Sequence, residues 1–267
     1  MFAIIIKDLR AYWRKQRARN IQIIYVGALS ITLFLMVIEL SARGGYNALR
    51  LDYGRLIFST LIVVAFLLLV ALSTPISVIL SVFEDKQDAN FDLILLTPLK
   101  NSHILLGKLI VTTLHAVFMP LSCLPLLSLS VYTGGLPLSQ IGLSFLIIFV
   151  TVATFNLIGI LYALVCQREE MAIILSYATI CIFMFEPFLI MISAKVFHLN
   201  IQSIPVKITK VFSPLYAMLA LMDVVNETAR FFLPSWLVTL ILYILISVTL
   251  FYAINQIRFR PNLEISS

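Results

Sequence analysis

Six long apolar runs constrain this chain more than any other feature of its sequence. A helix that crosses a bilayer needs about 20 predominantly apolar residues, and six runs reach that length, at residues 21–40, 56–83, 104–131, 141–166, 171–192 and 235–257. The composition agrees, since 61% of the 267 residues are hydrophobic and 12% are charged, against about 25% charged in a soluble domain. We therefore expect an all-α integral membrane protein with six transmembrane helices, in one transmembrane domain over residues 1–267.

The basic residues predict the orientation of these helices. With six spans both termini share one side of the membrane, and that side carries twelve of the 19 Lys and Arg residues. Cytoplasmic loops carry an excess of Lys and Arg, so both termini are predicted to be cytoplasmic. Topology then accounts for the net charge of +6, and we expect no nucleic-acid partner.

The polar remainder of the chain carries no pattern of an enzyme. The termini and five loops are each shorter than the 50 or more residues of a soluble domain. The Gly107-Lys108 pair lacks the leading glycine of a phosphate-binding loop, because Ser102 stands in its place. The histidines and cysteines show no metal-ligand spacing. The sequence therefore predicts no catalytic residue, no metal site and no cofactor in this chain.

Prolines predict bends in two spans. Pro75 removes a backbone donor within the second run, and Ser73 and Thr74 are placed to satisfy the freed groups. Pro120 and Pro125 fall in the third run. We expect the second and third spans to be kinked.

Two segments outside the spans are predicted to be helical. Residues 2–19 combine a helical apolar stripe with basic residues, which indicates an interfacial helix on the cytoplasmic surface, with a simple positive topology anchor as the alternative. Residues 193–234 form the longest external segment. Within it Ser213 and Pro214 form a helix-start signal, and the apolar stretch that follows is too short to span, so we expect a re-entrant or interfacial helix.

Two polar side chains fall inside predicted spans. Glu186 is followed by Pro187 in the fifth span, and a carboxylate at membrane depth is costly unless it is paired, protonated or facing a cavity. It is interpreted either as a pathway or gate residue or as a structural contact at a proline kink. Asn156 in the fourth span has the same two readings, as a path residue or as a packing hydrogen bond between helices.

The cytoplasmic loop at residues 84–98 is the most informative stretch. Acidic residues give way to a short apolar cluster that ends at Thr97-Pro98, and an exposed apolar patch beside charge often marks a partner site. The alternative is a segment folded back on the membrane surface.

This loop resembles the first cytoplasmic loop of the membrane-spanning permease subunits of ABC exporters of the ABC-2 type. The matching residues follow the family pattern from an acidic residue to a Gly-Lys pair: Glu84, Leu95, Leu96, Thr97, Pro98, Leu99, Ile104, Leu105, Gly107 and Lys108. The chain is similar to these permeases in four further features: the Lys7-Asp8-Leu9-Arg10 element, the six spans, the Ser213-Pro214-Leu215 stretch and the chain length. The family's Gly-Thr-Leu is replaced here by Ala89-Asn90-Phe91.

The resemblance implies a coupling helix that docks on a separate ATPase. Two ATPase subunits holding ATP and magnesium would assemble with two permease copies as a homodimer, in the inner (cytoplasmic) membrane of a prokaryote. The ATPase contacts would be Glu84, Asp88, Phe91, Leu93, Leu95, Leu96, Thr97 and Pro98, with a smaller contact at Arg168, Glu169 and Glu170. The translocation path or gate would include Asn156, Glu186 and Pro187.

The implied function is export of a hydrophobic or amphipathic substrate, such as a lipid, a drug or a small peptide, by alternating access. One alternative is an ATPase-coupled subunit of a mechanical signalling or cofactor-maturation complex that does not transport. A secondary transporter or channel is disfavoured by the few intramembrane acids and by the lack of a two-half inverted repeat.

Overall fold

The computed structural model describes residues 16–42, 51–87, 101–122, 124–132, 137–196, 211–222 and 234–256. Within these ranges the chain forms nine α-helices and no strand: α1 (Gln16–Ala42), α2 (Leu51–Leu72), α3 (Thr74–Gln87), α4 (Asn101–Ser122), α5 (Leu124–Tyr132), α6 (Leu138–Val165), α7 (Glu169–Val196), α8 (Pro214–Leu221) and α9 (Ser235–Gln256). The predicted all-α class is confirmed.

Four stretches of these helices are long and apolar enough to cross a membrane. They are Arg19–Glu39, Arg55–Glu84, Ser139–Val165 and Ser235–Gln256, and Leu106–Ser122 is apolar but shorter. The protein is therefore a multi-pass membrane protein. Helices also occupy the places of the remaining predicted spans, but the count of six stays a prediction.

The predicted bend of the second span coincides with a break in the helix, while that of the third span stays a prediction. The second run divides at Ser73 into α2 and α3, with Pro75 in the first turn of α3. The third run divides into α4, which contains Pro120, and α5, which has Pro125 at its second position. Pro75 and Pro125 are tolerated because backbone N–H groups in the first turn of a helix have no intrahelical acceptor, so the missing N–H of proline costs no helical hydrogen bond.

Helix α6 lies at the centre of the packing. It contacts α2, α3, α4, α7, α8 and α9, and Val152 and Phe155 on it are fully buried. At Gly159, α6 approaches α3 closely, because a Cβ built on this glycine would lie 2.7 Å from Cγ1 of Val78 and 3.4 Å from the Pro75 carbonyl oxygen. Helices packed in a membrane approach closely at such small residues.

A cluster of buried apolar side chains lies where the ends of several helices meet on one side of the protein. Val82 and Phe83 near the end of α3 pack with Ala163 near the end of α6, Ala172 near the start of α7 and Ile254 near the end of α9. The three-residue link between α6 and α7 makes these two helices antiparallel neighbours, and the Tyr162 and Thr179 hydroxyls bond across them at 2.8 Å. The helix ends that the sequence assigns to the cytoplasm therefore lie together.

The outward faces of the helices are apolar. On α1, Ile31 and Phe34 are 63% and 64% exposed, and on α9 Leu245 and Val248 are exposed to the same degree. Such faces require an apolar surrounding such as lipid. Of the predicted interfacial helix, residues 16–19 belong to the start of α1, and residues 2–15 lie outside the described residues.

Candidate functional site

The predicted contact loop begins where α3 ends. Glu84 lies near the end of α3 and is exposed. The other contact residues of this loop lie outside the described residues: Asp88, Phe91, Leu93, Leu95, Leu96, Thr97 and Pro98. The structure describes the two helices that carry the loop, α3 before it and α4 after it.

A buried lysine joins these two helices. The Nζ of Lys108 on α4 donates to the carbonyl oxygen of Ser81 on α3 at 2.6 Å and contacts the Ser81 hydroxyl at 3.2 Å. Lys108 is only 7% exposed. Burial of an ammonium group is costly unless hydrogen bonds compensate it, so these contacts account for a cation at this position.

The break between α2 and α3 is tied to α7. Pro75 has no N–H to offer the carbonyl of Ala71, four residues earlier, and the Tyr177 hydroxyl of α7 donates to that oxygen at 2.8 Å. The Thr74 hydroxyl donates at 3.1 Å to the Leu69 carbonyl, which also accepts from the Ser73 backbone N–H, so it does not satisfy the carbonyl that Pro75 frees. The Ser73 hydroxyl makes no hydrogen bond within the described residues.

The second predicted contact lies at the start of α7. Arg168 and Glu170 are exposed and Glu169 is half-buried. Both glutamates fall in the first turn of the helix, where a negative charge interacts favourably with the helix dipole. These three residues lie on the side where the ends of α3, α6 and α9 gather, so the structure brings them to the same side as Glu84.

Asn156 is enclosed between helices. It is fully buried, and its Nδ2 donates to the Thr113 hydroxyl of α4 at 3.2 Å. Its Oδ1 has no hydrogen-bond partner in the described part of the chain. This geometry joins α6 to α4 and corresponds to the packing interpretation of Asn156.

Glu186 lies on α7, the helix that follows α6 in the chain. It is half-buried on α7, which continues through Pro187, and no hydrogen bond or ion pair to it is found within the described ranges. Among the described residues Asn156 bonds Thr113 and not Glu186, so no hydrogen bond connects these two predicted path residues.

The short helix α8 is held by hydrogen bonds to two other helices, α7 and α9. Ser213 is its N-cap and Pro214 its first residue, as the sequence predicts. The Ser213 hydroxyl donates to the Met184 carbonyl of α7 at 2.9 Å. Thr239 and Tyr243, one turn apart on α9, donate to the carbonyls of the two residues before Ser213 at 2.8 and 2.9 Å. Most of α8 is buried.

Sequence reasoning missed three of these roles. Lys108 was part of the motif but its contact with Ser81 was not expected, and neither were those of Tyr177 and Tyr243. For Tyr177 a signal was available, because a proline within a span implies a freed carbonyl that needs a donor. The donor's position follows only from the packing of the helices.

Within the described ranges, no group of His, Cys, Asp and Glu could hold a metal ion. Side-chain hydrogen bonds join α3 to α4, α4 to α6, and α6 to α7. Such an assembly can transmit displacement from one end to the other.

Comparison with known families accords with this geometry. Among curated proteins, no sequence matches the chain significantly. A family model described as ABC-2 family transporter protein matches residues 9–254. That match covers most of the 267 residues, including both helices that flank the loop. The chain therefore belongs to the ABC-2 family as a membrane subunit of an ABC transporter, a type of subunit that works with a separate ABC ATPase.

Proposed function

We propose that this subunit exports a hydrophobic or amphipathic substrate (a lipid, a drug or a small peptide) by alternating access driven by a separate ATPase. The observation that carries the proposal is the joined pair α3 and α4 on either side of the contact loop, in a chain of the ABC-2 family. A displacement of that loop would move α3 and α4. Helix α3 packs on α6 and α7, and α4 packs on α6. Rigid-body motion of such helices is a recognised route for transmitting a conformational change.

The break at Ser73 would allow α3 to bend relative to α2 when the loop is displaced. Below it, α3 is held to α6 by the close approach at Gly159, and at the break α2 is held to α7 by the Tyr177 bond. A proline-containing break has fewer intrahelical hydrogen bonds than a continuous helix. Bending there would change the angle between α2 and α3 at little cost in hydrogen bonding.

The proposed topology has six spans with both termini in the cytoplasm, in the inner membrane of a prokaryote. Its support is the placement of twelve of the 19 basic residues on the side of the termini, together with the gathering of the predicted cytoplasmic helix ends in one cluster. Residues 2–19 would form the interfacial helix, and α8 the external re-entrant helix near the exit.

The proposed assembly contains two ATPase subunits, which bind ATP and magnesium, and two copies of this chain in a homodimer surrounded by lipid. The ATPase would contact the exposed and loop residues on the cytoplasmic side: Glu84, Asp88, Phe91, Leu93, Leu95, Leu96, Thr97, Pro98, Arg168, Glu169 and Glu170. The path or gate would involve Asn156, Glu186 and Pro187. Glu186 is the stronger candidate, since Asn156 is enclosed by its own chain.

Leu96→Asp tests the coupling loop. We expect the variant to lose ATP-dependent activity, because an aspartate in an apolar groove loses its hydration without gaining a partner. Asn101→Asp is the matched control, since it adds the same charge at the first residue of α4, where the helix dipole favours an acid. The coupling assignment is wrong if Leu96→Asp co-purifies with the ATPase and supports normal activity.

Proteoliposomes test transport itself. The chain is reconstituted with its ATPase, and ATP-dependent movement of a fluorescent phospholipid is measured. Hydrolysis with movement supports export. Hydrolysis that depends on this chain but moves neither this probe nor a set of amphipathic dyes favours the signalling or cofactor-maturation alternative. Movement without any ATPase would indicate a secondary transporter.

A further inference from the structure

A charge-assisted hydrogen bond crosses the base of the contact loop. The Lys108 ammonium on α4 lies 2.6 Å from the Ser81 carbonyl oxygen on α3, which is a short distance for an N–H to oxygen bond. Ser81 is 27 residues earlier in the chain, on the other flank of the loop. The bond therefore connects the last described helix before the loop with the first one after it.

The bond lies close to the loop on both helices. Ser81 is six residues before Gln87, where α3 ends, and Lys108 is seven residues after Asn101, where α4 begins. At 1.5 Å per residue these spacings correspond to roughly 9 and 10 Å of helix. A force applied to the loop thus reaches this contact before it reaches the Thr113 bond of α4 and the Gly159 contact of α3.

A hydrogen bond restrains the two helices in a way that apolar contacts do not. Dispersion contacts between side chains are individually weak and non-directional, so two apolar helices can slide by a fraction of a turn. The Lys108 ammonium stays bonded to the Ser81 carbonyl oxygen only while the two atoms remain within about 3 Å, and loss of a hydrogen-bond partner is costly for a buried charge. Sliding of α3 along α4 is therefore opposed by this bond.

Two further contacts extend the restraint to α6. Asn156 bonds Thr113 on α4, and Gly159 lies against Pro75 and Val78 on α3. Helices α3, α4 and α6 are thus connected in pairs, all below the break at Ser73. Lys108 holds the pair that carries the loop.

We propose that Lys108 is a positioning residue that joins α3 and α4 into one lever, so that a displacement of the contact loop moves both helices together. The proposal rests on the proposed function, since the displacement comes from the ATPase. Without the bond, the loop could be displaced while α3 and α4 respond independently, and part of the movement would be absorbed between them.

The test measures the separation of α3 and α4 in the complex with its ATPase. Spin labels at Leu80 on α3 and Leu114 on α4, in a chain without its native cysteines, report the distance in nanodiscs with and without a non-hydrolysable ATP analogue. With Lys108 present we expect one narrow distance in both nucleotide states. In Lys108→Met, which keeps the length of the side chain but removes its charge and donors, we expect the distance to broaden and to shift with nucleotide.

ATP hydrolysis gives the second readout. We expect the stimulation of the ATPase by this chain to fall by roughly 2- to 30-fold in Lys108→Met, the range seen for residues that modulate coupling, while the ATPase still co-purifies. Lys108→Arg keeps a charged donor and should retain the narrow distance. A loss of packing alone would lower thermal stability without making the α3 to α4 distance depend on nucleotide.

Ser81→Ala keeps the proposal testable if Lys108→Met does not fold. It removes the hydroxyl contact at 3.2 Å and leaves the carbonyl, so we expect an intermediate broadening. Ser247→Ala is its control, because that hydroxyl bonds only to the carbonyl of Ile244 within α9. The proposal is overturned if Lys108→Met, or Ser81→Ala where Lys108→Met fails to fold, leaves distance and stimulation as in the unmodified chain.

Failure of the proposed function has a different signature. If the unmodified chain recruits no ATPase and alters no ATP hydrolysis, the proposed function is wrong and the coupling role of Lys108 falls with it. The label distance in the isolated chain still shows whether Lys108 joins the two helices.

Discussion

Gly159→Ala tests whether the close approach of α6 and α3 is required for packing. A Cβ at this position would lie 2.7 Å from Cγ1 of Val78, well inside the 3.5–4.0 Å that two carbon atoms prefer. The valine cannot easily yield, because one χ1 rotamer dominates for valine in a helix. Forcing an extra methyl into a packed core costs about 1–3 kcal/mol.

Helix propensity opposes this cost. Alanine is favoured over glycine in a helix interior by roughly 1 kcal/mol, so the net loss for Gly159→Ala is about 0–2 kcal/mol. Gly142→Ala on the same helix is the matched control, because nothing lies within 4 Å of a Cβ built there. The propensity term is shared by the two variants, and the difference between their stabilities isolates the contact with Val78.

The assay is unfolding in mixed micelles by increasing SDS, followed by intrinsic fluorescence. We expect Gly159→Ala to unfold earlier than Gly142→Ala, by an amount that corresponds to about 1–3 kcal/mol. Val78→Ala removes Cγ1 and leaves the Pro75 carbonyl oxygen at 3.4 Å as the nearest atom. In that background Gly159→Ala should lose most of its penalty. A Gly159→Ala variant as stable as the control, or an unchanged penalty in the Val78→Ala background, would refute the reasoning.

The remaining predictions concern a hydrogen bond, the topology and a carboxyl group. Tyr177→Phe removes the donor to the carbonyl freed by the proline and should destabilise the protein by about 0.6 kcal/mol, and at most about 1.7, as for other hydrogen bonds between membrane helices; SDS unfolding checks this, with the exposed Tyr252→Phe as control. Cysteines placed at Lys100 and Lys207 should react with a membrane-impermeant reagent from the inside and the outside respectively, and the opposite pattern would invert the topology. Glu186→Gln should reduce ATP-dependent transport of the fluorescent phospholipid more than it reduces assembly with the ATPase, and a variant with normal transport would favour a structural role.

The sequence predicts the elements of this fold better than their contacts. Apolar runs and prolines locate the helices and the break at Ser73, because span length and the missing N–H of proline are local properties. The N-cap at Ser213 follows from the same kind of local signal. No local rule indicates that Tyr177 lies over Ala71, since that contact joins residues 106 positions apart.

The candidate site divides in the same way. The loop motif, read from consecutive residues, indicates an ATPase partner and includes Lys108. The partner of that lysine depends on how α3 and α4 cross, which the motif does not encode. Asn156 shows the same limit. A polar residue in a span predicts a hydrogen bond between helices, but the sequence does not indicate that the partner is the Thr113 hydroxyl of α4.

The anchoring of α8 imposes an order on biogenesis. The carbonyls of Val211 and Phe212 accept from Thr239 and Tyr243, which the ribosome adds about 30 residues later, a few seconds of synthesis at roughly 5–20 residues per second. Buried backbone carbonyls need hydrogen-bond partners, so α8 takes its final place only after α9 is made. A chain truncated before α9 would leave the Val211 and Phe212 carbonyls without these two hydroxyl donors.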